Sequence, residues 1–267
     1  MVRVTLLGSA QDGGVPQAGS VHREGLDRRY PVSIGLVDSN GGRHLFDASR
    51  YLAEQLQIWN QTGVDSIFLT HAHIGHVDGL TLFGKEAMNC KGISLFCSDI
   101  MLDLIQNTPI WSIMLDQGVF TPYGNNIVKL PGVTVEALKV PHRAELSDMH
   151  AYIIKAEKSL LYLPDHDTWS ETLNGHDLRS WLNHLEIDIA LIDGTFYSYD
   201  ELKNRKQEEI PHPPVEQTLQ MLGERREGDG EVVFIHLNHT NPLCMDETPV
   251  TELGWKVGKE GMSFSLN

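Results

Sequence analysis

The chain has 267 residues, of which 41% are hydrophobic and 21% charged, as is typical of a soluble globular enzyme. Its formal net charge of −15 comes from 21 Lys and Arg against 36 Asp and Glu, and no Lys/Arg run is longer than two. Because phosphate recognition needs a basic surface, this balance argues against nucleic acid and an anionic membrane as partners, and favours a small-molecule substrate.

The first half alternates strand-like and helix-like segments. Residues 1–8 predict a strand, and after a glycine-containing loop, residues 32–37 and 44–46 predict a hairpin that turns at 40–42. Apolar spacing predicts a helix at 51–59, followed by a short strand at 67–69. Further helices are predicted at 78–88, 99–106 and 109–117.

The second half continues the alternation without a linker or a repeat. It predicts strands at 119–120, 133–140, 151–154, 160–163, 187–192 and 231–235, and helices at 177–185 and 215–222. Residues 256–266 predict a closing hairpin that turns at 258–261. This order predicts one domain over residues 1–267, with two packed sheets and helices on their outer faces.

The cysteine pattern predicts the compartment. Cys90, Cys97 and Cys244 are odd in number and widely spaced, so they form neither a disulfide framework nor a CxxC zinc clip. A reducing compartment is therefore expected. Since the chain starts with a strand-like segment rather than a basic and apolar leader, we expect a cytoplasmic protein.

Three histidines at the end of an apolar strand give the strongest functional signal. His71, His73 and His76 follow the apolar residues 67–69. Alternate residues of an extended strand point to the same side, so His71 and His73 converge, and Gly75 permits a turn that returns His76 towards them. Because neutral imidazole is a common zinc ligand, the segment predicts a metal site.

Three later residues share the same placement directly after an apolar strand. They are His142, Asp165 and His236. Polar side chains at the ends of neighbouring strands can meet at one rim of a rigid scaffold. The sequence therefore predicts that these three residues join the histidine cluster.

The ordered set of these six residues resembles the metal-ligand series of the metallo-β-lactamase superfamily. Longer segments resemble its coenzyme PQQ synthesis protein B branch: 7–17 (LGSAQDGGVPQ), 140–148 (VPHRAELSD), 162–169 (YLPDHDTW), 191–197 (LIDGTFY), 210–214 (IPHPP) and 236–242 (HLNHTNP). The resemblance implies an α/β fold, the αββα four-layer sandwich, with its metal site at the rim between the sheets.

The chain departs from the family pattern in three places. The superfamily usually has His-x-His-x-Asp-His, but position 75 is Gly, so a carboxylate is missing from the second metal position. We therefore expect one tight ion and a second that is weak or absent, and Gly75→Asp to strengthen the second. Residues 18–24 lack the cysteines that typical members of the branch have there, so no structural zinc is expected. Typical members have lost part of the histidine cluster, whereas this chain keeps His71 and His73.

The resemblance also implies roles for the ligands. His71, His73 and His142, with Asp165 as a fourth or bridging ligand, would hold the first ion and leave a position open for water. His76, His236 and the shared Asp165 would hold the second. Zn²⁺ is the leading cofactor, with Fe²⁺ and Mn²⁺ left open. We assign Asp165 to orienting the nucleophile, and place His76 and His236 with it as catalytic candidates.

Other polar residues have alternative interpretations. Asp78 is either a hydrogen-bond acceptor for a ligand histidine or the first residue of a helix. His239 is an alternative to His236 as ligand, or a substrate contact. Asp193, Asp167 and His150 are candidates to support the ligands, and Asp47 is interpreted as a structural rim residue. The segment 210–214 is interpreted as a lid or helix entry, from which His212 could reach the site.

Three functions follow as hypotheses. The first is a hydrolase in which a metal-bound hydroxide attacks a small or medium-sized ester or phosphoester. The second, implied by the branch, is an iron-dependent hydroxylase in cofactor biosynthesis. The third is a metal-binding relative without catalytic activity. The oligomeric state is left open, with a homodimer among the alternatives.

Overall fold

A computed structural model describes residues 1–21, 24–143, 145–201 and 211–267. In chain order its strands are β1 Arg3–Gly8, β2 Ser33–Val37, β3 Arg43–Phe46, β4 Ser66–Phe68, β5 Ile93–Cys97, β6 Phe120–Gly124, β7 Ile127–Leu130, β8 Val133–Val140, β9 Met149–Lys155, β10 Ser159–Leu163, β11 Ile189–Asp193, β12 Glu231–Ile235, β13 Lys256–Val257 and β14 Ser263–Ser265. They form two seven-stranded sheets, ordered β14-β1-β2-β3-β4-β5-β6 and β13-β12-β11-β10-β9-β8-β7.

The helices lie between these strands in the chain. They are α1 Leu52–Trp59, α2 Ile74–Val77, α3 Asp99–Asn107, α4 Pro109–Asp116, α5 Trp169–Thr172, α6 Leu178–His184, α7 Val215–Leu222 and α8 Thr248–Thr251, with 3-10 turns at Asp78–Phe83, Tyr199–Glu201 and Pro242–Cys244. No helix in the described ranges combines the length and apolar character that crossing a membrane requires.

Three groups of buried apolar side chains hold the layers together. One lies between the sheets and includes Phe46 and Phe68 of the first sheet and Tyr162 and Val233 of the second. A second group packs α1, α3 and α4 on the first sheet, and a third packs α5, α6 and α7 on the other. The predicted αββα sandwich is therefore confirmed.

Most predicted elements are confirmed, but the closing hairpin is wrong. β13 pairs with β12 in the second sheet, whereas β14 pairs with β1 in the first. Each short strand pairs with the edge strand of a different sheet. The four residues predicted as a turn, 258–261, instead lie in the connection from one sheet to the other. These last strands therefore tie the two sheets together.

The helix predicted at 78–88 is also wrong. The chain forms the single turn α2, a 3-10 turn over Asp78–Phe83 and then irregular backbone. Gly79 explains part of this, because its Cα packs against the backbone of Ser49: a Cβ there would lie 2.0 Å from the Ser49 carbonyl oxygen. That close approach fixes the histidine segment against the β3–α1 connection.

Candidate metal centre

The strand ends of the second sheet bring together the predicted residues. β10, β11 and β12 run parallel, and β8 has the same direction because β9 is antiparallel to both β8 and β10. Their carboxyl ends therefore meet at one edge, where His142, Asp165 and His236 follow β8, β10 and β12. The connection after β4 supplies the three clustered histidines from the first sheet.

Asp165 lies at the centre of the cluster and is almost fully buried. Its Oδ1 is 3.2 Å from His142 Nε2 and 3.7 Å from His71 Nε2. Its Oδ2 is 3.2 Å from His236 Nε2 and 3.4 Å from His76 Nε2. Two ligands of one tetrahedral zinc, with bonds of about 2.0–2.1 Å, lie roughly 3.3 Å apart. The spacing suits a carboxylate that two donor groups share.

The first donor group consists of His71, His73 and His142, whose ligand atoms all lie within 4.8 Å of one another. His142 Nδ1 donates to Asp167 at 2.9 Å, and His71 Nδ1 is 3.0 Å from Thr70 Oγ1. Both rings therefore direct Nε2 inwards. His73 is reversed, with Nε2 3.3 Å from Glu145 Oε2 and Nδ1 3.3 Å from His142 Nε2.

The second donor group consists of His76, His236 and Asp12, again within 4.8 Å of one another. His76 Nδ1 is 2.8 Å from Asp47 Oδ2, and His236 Nδ1 is 2.7 Å from Thr195 Oγ1. These outer hydrogen bonds turn both Nε2 atoms towards Asp165. Asp12 Oδ1 lies 3.8 Å from His76 Nε2.

Several buried polar atoms at the centre fit a bound cation. His71 Nε2, His236 Nε2 and both carboxylate oxygens of Asp165 have no hydrogen-bond partner among the described residues. An unpartnered buried polar atom is costly, and few occur in native proteins. Neutral imidazole and carboxylate are ligands that Zn²⁺, Fe²⁺ and Mn²⁺ accept, so the residues present fit such an ion.

The pKa shifts follow from burial and crowding. Burial, with the neighbouring imidazoles, keeps the pKa of His71 well below its ordinary value, and burial lowers the pKa of His236 to about 4. Burial alone would raise the pKa of Asp165, but the surrounding histidines hold it well below its ordinary value. These two imidazoles are therefore neutral and the carboxylate anionic at neutral pH, as metal binding requires. Burial would lower the pKa of His76 and His142, but the adjacent carboxylates raise it, well above its ordinary value for His76, so a cation bound there would displace a proton.

Two residues of the site have left-handed backbone. Asp47 has φ 59° directly after β3, and His236 has φ 63° directly after β12. Such a conformation costs a non-glycine residue about 1–3 kcal/mol and occurs often at functional sites. In both cases the sharp turn at the strand end directs the side chain towards the histidine cluster.

Asp47 does more than the rim role that the sequence suggests. It is fully buried, and besides His76 Nδ1 it accepts hydrogen bonds from the Thr70 backbone N–H at 2.9 Å and the Tyr162 hydroxyl at 3.0 Å. Asp47 therefore orients His76 from behind. Thr195 does the same for His236, since its hydroxyl donates to Asp193 Oδ1 at 2.7 Å and can accept from His236 Nδ1.

His212 reaches the edge of the centre. Its Nδ1 lies 2.7 Å from Asp193 Oδ2, and its ring centroid is 5.7 Å from that of His142 and 5.9 Å from that of His236. Asp193, His212 and His236 form another set whose ligand atoms could hold a cation. Residue 210, the start of the predicted lid segment, lies outside the described residues.

Three other candidates belong to none of the described donor groups. The Asp78 carboxylate pairs with Arg50 at 2.6 Å and makes no described contact with a histidine, so its interpretation as a histidine acceptor is wrong. No described donor group includes His239 or His150, whereas His236 belongs to two. Asp167, in contrast, contacts His142 as expected.

The structure leaves little space for the aspartate that the family pattern has at position 75. A Cβ at this buried position would lie 2.5 Å from Asp12 Cα and 2.6 Å from Asp12 Oδ1, closer than real Cβ contacts. The place of an aspartate at position 75 is therefore already taken by Asp12, which the sequence interpretation missed. The available signal was its position in a glycine-rich segment shortly after β1, because the other site residues also follow strands.

Comparison with known proteins identifies the class to which this site belongs. Residues 42–237 match the family model described as a beta-lactamase superfamily domain, and the chain belongs to this superfamily. With the fold and the donor set above, it is a metallo-β-lactamase-like protein, and it is similar to the coenzyme PQQ synthesis protein B branch of that superfamily.

The relatives of this branch match the full length of the chain. Coenzyme PQQ synthesis protein B of Xanthomonas campestris pv. campestris (strain B100) is 26% identical over 311 residues, covering 99% of this chain and all of the relative. The Zn²⁺-bound PqqB of Methylobacterium extorquens superposes with a TM-score of 0.79 at 20% identity, covering 99% of this chain and 100% of that one. A diphosphatase of the PhnP family superposes with a TM-score of 0.71 at 17% identity, covering 100% and 98%.

Proposed function

We propose that this protein is a metal-dependent hydrolase of small or medium-sized phosphoesters. The observation that carries the proposal is that two donor groups share one carboxylate, Asp165, which lies within 3.7 Å of four histidine nitrogens. Hydrolases that act on phosphoesters commonly use two neighbouring cations. A bound dication supplies Lewis acidity and lowers the pKa of a bound water to about 7.

The protein's own residues hold and orient the reacting groups. The outward hydrogen bonds of the histidines to Asp47, Thr70, Asp167 and Thr195 fix their rings before substrate arrives. Asp165, between the two groups, would orient the attacking water. Pre-set ligands of this kind lower the reorganisation needed during the reaction.

His212 is the proposed proton donor to the leaving group. Its pairing with Asp193 fixes the ring at Nδ1, and the ring stands beside His142 and His236 at the edge of the centre. A histidine oriented by a carboxylate is a common general acid. Leaving groups with a high pKa would depend on it most.

The substrate class follows from charge and from the comparisons. A chain of net charge −15 repels polyanions, so a small phosphoester is favoured over RNA or DNA. The similarity to a diphosphatase of the PhnP family supports the phosphoester class. We propose no tight binding to tRNA at physiological salt.

The test combines metal content with turnover. Protein purified without chelator is analysed for Zn, Mn and Fe, and then assayed with bis(p-nitrophenyl) phosphate, p-nitrophenyl phosphate and a p-nitrophenyl carboxylic ester. We expect zinc or manganese and the highest turnover on a phosphorylated compound. Metal bound without hydrolysis of any of these esters would contradict the proposal and favour a non-catalytic metal-binding protein.

An oxidative role is the second candidate. It is favoured by the full-length match to coenzyme PQQ synthesis protein B, whose name places it in cofactor biosynthesis. The same purified protein, reconstituted with Fe²⁺ and supplied with a reductant, is placed in an oxygen electrode with candidate substrates. Substrate-dependent oxygen consumption without phosphoester hydrolysis would favour this alternative.

A further inference from the structure

The Asp12 carboxylate faces the second donor group in a fixed orientation. Its Oδ1 accepts a hydrogen bond from the Gly75 backbone N–H at 2.9 Å, and its Oδ2 accepts from Gln11 Nε2 at 2.8 Å. Oδ1 is the atom 3.8 Å from His76 Nε2, and the side chain is only 18% exposed. The carboxylate is therefore aimed at the unpartnered Nε2 of His236 and at its neighbour His76.

The loop that carries Asp12 is anchored on both sides. The Ala10 N–H donates to the Tyr30 carbonyl at 2.8 Å, and the Gln11 N–H donates to the Leu237 carbonyl at 3.0 Å, next to His236. The Glu260 carboxylate accepts from the backbone N–H groups of Ser9 and Tyr30 at 3.1 and 2.9 Å. These contacts hold the loop at the site, so the position of Asp12 is set by the fold.

Gly75 makes room for this loop. Its buried Cα lies so close to Asp12 that any Cβ would overlap the Asp12 backbone and carboxylate. Gly75 is in the single turn of α2, and its φ is not in the left-handed region, so the conformational freedom of glycine is not what the position needs. What it needs is space, and a side chain at 75 and this placement of Asp12 exclude one another.

We propose that Asp12 supplies the carboxylate ligand of the second donor group, with His76 and His236, and that Gly75 is required to admit it. The inference rests on the proposed metal-dependent function and deepens it. With Asp12 in place, the second position has two imidazoles, one carboxylate of its own and the shared Asp165. Its affinity for a dication is therefore close to that of the first position, rather than weak.

The test is a titration of the chelator-treated full chain with Zn²⁺ and, separately, Mn²⁺, followed by calorimetry and by competition with a chromophoric chelator. The wild-type chain is expected to take up two ions. Asp12→Asn keeps the size and the acceptor for the Gly75 N–H but removes the charge. It should weaken the second ion at least tenfold and leave the first unchanged.

Two further variants keep the result from being a folding effect. Gly75→Ala adds only a methyl group, which should displace Asp12 and weaken the second ion as Asp12→Asn does. The double variant should bind the second ion as tightly as the single variant with the lower affinity, because both changes remove the same ligand. Asp78→Asn is the matched control and should retain both ions, since Asp78 pairs with Arg50.

The outcomes separate the two proposals. Two ions at wild-type affinity in Asp12→Asn, or additive losses in the double variant, would overturn the role of Asp12 and leave the metal-dependent function standing. A wild-type chain that binds only one ion would likewise overturn the role of Asp12 and leave the metal-dependent function standing. A wild-type chain that takes up no metal would overturn both.

Discussion

The two donor groups that meet at Asp165 are built in different ways. In the first, His71 and His73 come from one strand end, and His142 is the only distant member. In the second, Asp12, His76 and His236 come from three segments that are far apart in sequence. The difference teaches that a site can look incomplete in sequence although the fold completes it, because the missing ligand type is supplied from another loop.

The groups also differ in burial and support. In the first group, His73 is 18% exposed and its outer partner Glu145 is 57% exposed. In the second, Asp12 is also 18% exposed, but both histidines are 1–2% exposed and their outer partners Asp47 and Thr195 are buried. We therefore expect the histidines of the second position to be held more rigidly than His73 of the first, although the sequence interpretation rated the second position the weaker.

The largest effect is expected for His71→Ala. His71 belongs to the first group and also to a set with His76 and Asp165, so its loss should remove most of the bound metal and abolish activity. The fold should survive, because its three apolar cores do not depend on the ion. Metal analysis and circular dichroism check this, with the exposed His184→Ala as control. Full metal content in His71→Ala would contradict the assignment.

His212→Asn tests the proposed proton donor, which lies beside His142 of the first group and His236 of the second. We expect both ions to remain and turnover to fall by about 10²–10⁴, the usual contribution of a general acid. The loss should be larger for an alkyl phosphodiester than for bis(p-nitrophenyl) phosphate, because p-nitrophenolate leaves without a proton. Equal losses on the two substrates would show that His212 has a structural role instead.

Asp47→Asn tests the support of the second group. Both carboxylate oxygens accept hydrogen bonds, so an amide nitrogen would face a donor in either orientation. We expect the second ion to bind about 10–100-fold more weakly, as for other residues that orient metal ligands. The matched control is Asp38→Asn, since Asp38 is a buried partner of His44 in the hairpin between β2 and β3. Asp38→Asn should lower the thermal stability of the fold and leave metal affinity unchanged. If both variants weakened metal binding equally, the proposed support of His76 by Asp47 would be refuted.

Gly75→Asp sharpens the comparison most directly. The sequence pattern alone predicts that an added carboxylate strengthens the second position. The structure predicts the opposite, because the new side chain overlaps Asp12. Overpacking of this kind costs about 1–3 kcal/mol of stability, and displacement of Asp12 should weaken the second ion about tenfold. Thermal unfolding and a zinc titration measure the two effects, and tighter binding of the second ion would restore the sequence-based prediction.

Much of the fold could be predicted because its signals are local. Apolar runs and alternation identify β1, β8, β10 and β12, and helical spacing identifies α1, α3 and α7. The failures occur where tertiary contacts decide. Residues 256–266 contain two short strands and a glycine-rich turn, which resemble a hairpin, but two different sheet edges bind them. At the 3-10 turn Asp78–Phe83, the close packing of Gly79 on Ser49 is one such contact.

For the site, the sequence by itself determined which histidines and carboxylates are candidate metal ligands and which strand ends carry them. His71, His73, His142, Asp165 and His236 each follow an apolar strand, and that placement can be recognised within a few residues. Only the tertiary structure decided which carboxylate faces His76. Whether Asp12 or a side chain at 75 occupies that space depends on how closely two segments distant in sequence approach, since a Cβ added at 75 would lie 2.5 Å from Asp12 Cα. No local pattern encodes such a contact, because it arises when the segments that follow β1 and β4, which two strands separate in the first sheet, meet at the edge of that sheet.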